Sequence, residues 1–221
     1  MKRALIHTLL DKPMDGAAIE ARSLATIDRE APRHGFTPGE WAVVRRMIHA
    51  TADFALAEWT RFSPGAVAAA VAALRRGSAI YADSAMIRAG LSRARLRACS
   101  PQYATAEILC HVADEDVARE AAGAGLPRSL FAVRKARRQL QGAIAVFGNA
   151  PVALLELNRM MTEENVRPAL VIGMPVGFVH VVESKQELTE MDVPWIVVEG
   201  RRGGSTLAVA AMQARCGWGH E

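Results

Sequence analysis

Five short apolar runs, each ending in a turn and alternating with helical patterns, narrow the choice of fold more than any other feature of this chain. The runs lie at 78–83, 107–112, 142–147, 169–172 and 195–198. Helical patterns at 114–124, 128–140, 151–164, 178–190 and 205–215 separate or follow them. Near-continuous apolarity, without polar alternation, marks strands covered on both faces, which is the habit of parallel sheets. Right-handed crossovers then give a doubly wound α/β domain. The expectation is a mainly parallel five-stranded sheet with helices on both faces and a helical N-terminal third. No internal repeat, low-complexity tract or linker divides the chain, so 1–221 reads as a single domain.

The first third has its own signals. Residues 1–12 read as a loose end. A helix then begins near Asp15, runs through Ile19, Leu24 and Ile27, and carries Ser23. After the break at Ala31-Pro32-Arg33-His34-Gly35, Thr37-Pro38-Gly39-Glu40 forms a capping box with proline at the first helical position. Trp41, Val44, Met47 and Ile48 make one apolar stripe, and His49 falls off it in the last turn. A helix C-terminus favours imidazolium, so a histidine there beside a cleft can serve as a proton donor. By spacing alone His49 reads first as an ordinary surface or packed histidine, and the rest of the chain has to carry a catalytic role. Phe54, Leu56 and Trp59 continue the helical pattern, Phe62-Ser63-Pro64-Gly65 opens another helix, and Gly77 ends it.

Half of the 221 residues are apolar, enough for a sizeable core without staples. Three widely spaced cysteines, Cys99, Cys110 and Cys216, form no ligand pattern, which points to a reducing compartment and no metal. The stretch Met1 to Pro13 has no signal-peptide form, and no apolar run is long enough to span a bilayer. The expected location is the cytoplasm. Of the 27 basic residues, 23 are arginines. Guanidinium forks suit carboxylates and phosphates, although a GC-rich coding bias gives the same excess. Aromatics are 5% of the chain and the arginines are scattered, so nucleic acid ranks last among partners.

In an open parallel sheet, ligands bind beyond the carboxyl ends of the strands. Those ends carry Asp83-Ser84, Gly148-Asn149-Ala150-Pro151, Gly173-Met174-Pro175-Val176-Gly177 and Gly200-Arg201-Arg202-Gly203-Gly204-Ser205. Three glycine-rich turns predict a cleft that tolerates anions at helix N-termini. No dinucleotide fingerprint, Walker loop or nucleophile elbow occurs there. His111 within a strand reads as a packed histidine, His180 as a helix-surface residue, and Lys185 as a structural lysine paired with glutamates.

Six stretches together resemble the precorrin-8X methylmutase family of corrin biosynthesis. They are Arg46-Met47-Ile48-His49-Ala50-Thr51, Arg61 to Val67, Ala82-Asp83-Ser84-Ala85-Met86, Gly148 to Leu154, Gly173 to Val179 with Glu183-Ser184-Lys185, and Gly200 to Ser205. Ala52 stands where the family usually has glycine. The resemblance spans about residues 15 to 215. It implies a cofactor-independent isomerase that moves a methyl group on ring C of a tetrapyrrole, a homodimer, and His49 as the acid. It also implies Ser23 and Arg128 as substrate contacts. The remaining substrate-facing candidates are Asp83, Ser84, Met86, Arg93, Gly148, Asn149, Gly173, Pro175, Gly177, Arg201, Gly203 and Gly204. This reading requires His49 and Arg128 to converge from distant parts of the chain. Its rivals are a tetrapyrrole carrier without turnover and a nucleotide-binding regulatory domain.

Overall fold

The apolar runs form strands at the expected places, and a sixth strand joins them. The computed structural model describes residues 3–214. Its strands are β1 (Thr60–Phe62), β2 (Ile80–Ala82), β3 (Ile108–Leu109), β4 (Ile144–Phe147), β5 (Leu170–Gly173) and β6 (Trp195–Val198). They lie in the order β1-β6-β5-β4-β2-β3. β2 to β6 are parallel, while β1 pairs antiparallel with β6, Thr60 opposite Val198 and Phe62 opposite Ile196. The expected five-stranded sheet is therefore corrected to six. Thr60–Phe62 carry no strand signal in the sequence because three residues are too few to show a period; pairing with β6 makes them a strand.

Twelve helices surround the sheet among the described residues: α1 (Leu5–Asp11), α2 (Gly16–Glu30), α3 (Pro38–Thr51), α4 (Leu56–Trp59), α5 (Ala66–Arg75), α6 (Ala85–Gly90), α7 (Arg93–Cys99), α8 (Glu115–Ala124), α9 (Arg128–Lys135), α10 (Pro151–Glu163), α11 (Val181–Thr189) and α12 (Ser205–Gln213). Residues 5–11, expected to be loose, are helical, with Leu5, Ile6, Leu9 and Leu10 all exposed. The helix expected over 128–140 stops at Lys135, and that expected from 178 starts at Val181. Cys216 and the end of the last helical pattern lie outside the described residues.

Alternating strand residues separate the core into two layers. Ile80, Ala82, Ile144, Val146, Ile172 and Ile196 pack against α3, α5, α6, α7 and α12. Tyr81, Ala145, Phe147, Val171 and Val197 pack against α9, α10 and α11. β2 and β4 are neighbours whose onward connections run to opposite sides, so the crevice between their carboxyl ends is the topological switch point.

Candidate active site

The capping box on α3 is present in full: Thr37 Oγ1 accepts from Glu40 N, and Glu40 accepts from Thr37 N at 2.9 Å. α3 then delivers its last turn to the carboxyl edge of the sheet. There Ala52 caps it in the left-handed conformation, φ 55°, with its N–H on the Ile48 carbonyl. A non-glycine residue in that conformation is strained, which is the physical reason for glycine at this position.

His49 lines an open cleft of about 240 Å³ with Arg46, Ala50, Met86, Gly90, Ser205, Thr206, Val209, Ala210 and Gln213. Its Nδ1 lies 3.0 Å from Ser23 Oγ. One turn back on each helix, Arg46 meets Glu20, which also holds Arg95 Nη2 through both carboxylate oxygens at 3.2 Å. Burial pushes the Glu20 carboxyl up, but Arg95 and Arg46 outweigh it and hold the group below its ordinary range. Glu20 and Ser23, and Arg46 and His49, are thus two i,i+3 pairs facing each other across α2 and α3. Arg46, Ser205 and Thr206 were not singled out as site residues from sequence. The signal for Arg46 is that same spacing.

The cleft floor is stitched by short contacts. Ser84, the N-cap of α6, lies 3.0 Å from Ser205 Oγ at the start of α12. Gly148 packs so closely on Gly204 and Ser205 that a Cβ would strike their backbone. Gly203 is pressed against the Met174 carbonyl, and Gly204 N–H donates to the same oxygen at 2.8 Å. Gly173 lies in the core, where Leu188 fills the space a side chain would need. The glycines at 148, 173 and 203 are therefore required by approach of protein to protein, where the sequence suggested approach to a ligand. Pro175 is buried; Gly177 N–H donates to the Arg201 carbonyl at 3.4 Å.

Asp83 occupies the switch point itself. It is 1% exposed, and its carboxylate accepts from Gly148, Asn149 and Ala150 N–H at 3.2, 2.8 and 2.9 Å. Burial raises its pKa, while these three amides pull it back. The carboxylate takes the place that a ligand anion takes at the switch point of other doubly wound sheets. It holds the turn rather than facing the cleft.

The remaining candidates scatter. Arg93 donates to the Tyr103 and Ala106 carbonyls and ties α7 to the following turn. Arg201 stacks over Phe178, its guanidinium carbon 5.4 Å from the ring centre, and Phe178 is 83% exposed. Arg128 opens α9, in the layer opposite α3. Arg134 meets Glu156 and Arg137 meets Glu164, so α9 runs alongside α10 and Arg128 sits toward the carboxyl edge. The helices that carry His49 and Arg128 thus approach the same edge of the sheet from opposite faces. His111 Nδ1 lies 2.8 Å from Asp114, which Lys135 also pairs. His180 is exposed and precedes α11 in the left-handed conformation. Among the described residues no helix is long and apolar enough to cross a membrane.

Fold and site together define an α/β protein with a histidine-bearing cleft at the carboxyl edge of a mainly parallel sheet, with Arg46 in its lining. The precorrin-8X methylmutase family model matches residues 18–216. A cobalt-precorrin-8 methylmutase of Leptospira interrogans is 40% identical over 207 residues, covering 90% of this chain and 92% of that one. A precorrin-8X methylmutase of Pseudomonas aeruginosa is 40% identical over 208 residues, covering 93% and 97%. The crystal structure of precorrin-8x methyl mutase from Thermus thermophilus superposes with a TM-score of 0.82 at 48% identity, covering 90% and 96%. The chain belongs to the precorrin-8X methylmutase family, isomerases of cobalamin biosynthesis.

Proposed function

We propose that His49 is the acid of a methyl migration on ring C of precorrin-8X or its cobalt form, yielding the corrin isomer. The single observation that carries this is His49 in the cleft with its Nδ1 engaged by Ser23. A ring nitrogen so held leaves the other nitrogen to address substrate, and Ser23 orients the imidazole rather than touching substrate first. The acid lends a proton, or a hydrogen bond, to the ring-C region. That withdraws electron density and lowers the barrier to the sigmatropic shift. The proton returns when the isomer forms, so substrate and product have the same composition. No step calls on a cofactor or a metal.

The cleft takes one edge of a macrocycle, with Met86 and Ala210 against its apolar face and Arg46 at a carboxylate arm. With Arg128 in the far layer, a homodimer is the arrangement in which Arg128 of a second copy reaches a carboxylate on the same substrate. Nucleic acid has no part in this reading, and a cytoplasmic location follows it.

Absorption spectroscopy tests the proposal. Wild-type protein mixed with precorrin-8X, and separately with its cobalt form, should generate a corrin spectrum with at least one of them. His49→Ala should bind the pigment and slow conversion by roughly a hundredfold or more, the usual worth of a placed general acid. Wild-type binding without conversion would replace this reading with a tetrapyrrole carrier.

A further inference from the structure

Lys185 is 2% exposed on the inner side of α11, and it meets no carboxylate among its hydrogen-bond partners. Its ammonium donates all three protons to main-chain carbonyls: Val198 at 2.7 Å, Gly200 at 3.0 Å and Arg202 at 2.5 Å. Those carbonyls span the whole turn from the end of β6 toward α12. Pairing with glutamates one turn on, the expectation from sequence, is not what the fold provides. Burying an ammonium is costly, and desolvation pushes this one down to about 8. A methionine or leucine would fill the same space without that cost. Three carbonyls turned inward onto one cation are otherwise an arrangement that metal ions impose on loops.

The turn that the ammonium gathers leads into α12, whose first residues, Ser205 and Thr206, line the cleft. Arg202 reaches across it to Asp53, just beyond the last turn of α3. Gly203 and Gly204 lock on the Met174 carbonyl, and the helix they lead into sets Ser205 and Thr206 beside His49. We propose that Lys185 is a positioning residue for the isomerisation, its charged ammonium acting as a built-in cation that folds the Gly200–Gly204 turn and thereby sets the start of α12, Ser205 and Thr206, in the wall of the substrate cleft. The inference rests on the His49 cleft being the substrate site. It gives Lys185 no contact with substrate, so its effect falls on binding rather than on the chemical step.

Two variants separate charge from bulk: Lys185→Met keeps the length and removes the charge, and Lys185→Arg keeps the charge. Lys185→Met should raise KM about tenfold or more while kcat stays within about threefold, a split that mere loss of stability does not produce. Lys185→Arg should recover part of that loss. Should Lys185→Met fail to fold, the wild-type protein supplies the test by 15N NMR at mildly acidic pH. The Lys185 ammonium should give a slowly exchanging Nζ signal that shifts when the corrin product saturates the cleft. Wild-type KM in a folded Lys185→Met protein, or an Nζ signal unmoved while the His49 imidazole responds, overturns the inference. A His49 imidazole that does not respond to product overturns the reading of the cleft instead.

Discussion

Ser23 Oγ stands 3.0 Å from His49 Nδ1, joining the middle of α2 to the last turn of α3. The bond ties the proposed acid to a second helix, so its ring plane is set by packing between two elements rather than by one rotamer. A hydrogen bond of this kind is worth about 1 kcal/mol. Ser23→Ala should therefore lower kcat about fivefold with KM little changed, as initial rates followed by corrin absorbance will show. An unchanged kcat would remove Ser23 from the acid's support.

Ala52 pays for its left-handed conformation with steric strain of the order of 1 kcal/mol. Ala52→Gly relieves it, partly offset by the greater freedom of glycine in the unfolded chain. The expected result is a gain of about 0.5 kcal/mol in urea unfolding with turnover retained. A loss of stability would show that the strain is absorbed elsewhere.

Asp83 serves three amides with two oxygens. Asp83→Asn puts an NH2 group where one acceptor stood, leaving a buried N–H facing a donor. Destabilisation of about 1–3 kcal/mol is expected, with faster amide exchange at Gly148 to Ala150. Because the carboxylate does not face the cleft, the Michaelis constant should respond only through loosening of this turn.

Glu156 is nearly buried between Arg134 Nε at 2.8 Å and Arg159 Nη2 at 2.7 Å. Burial pushes its carboxyl up, and Arg159 and Arg134 together pull it below the ordinary value. A carboxyl depressed in the folded state adds stability that is complete above the unfolded pKa, about 4.3, and is lost as pH falls through the folded one. Glu156→Gln should cost about 1.5–3 kcal/mol near neutral pH. It should also flatten the loss of stability as pH falls below the unfolded value of about 4.3. Denaturant titrations across that range measure both.

The sequence by itself determined the elements whose signals are local. Continuous apolar runs marked β2, β4, β5 and β6, because a strand buried on both faces has no polar alternation to keep. The Thr37 capping box was readable because all its partners lie within four residues. Resemblance added the family and the identity of His49. Only the tertiary structure decided which groups meet. β1 is three residues long and becomes a strand through β6, some 135 positions away in the chain. The carbonyls that gather on Lys185, the amides on Asp83 and the placement of Arg128 across the sheet from His49 depend on crossover direction and strand register. Neither leaves a trace in local periodicity, since the same apolar pattern fits either face of a sheet until the rest of the chain chooses one.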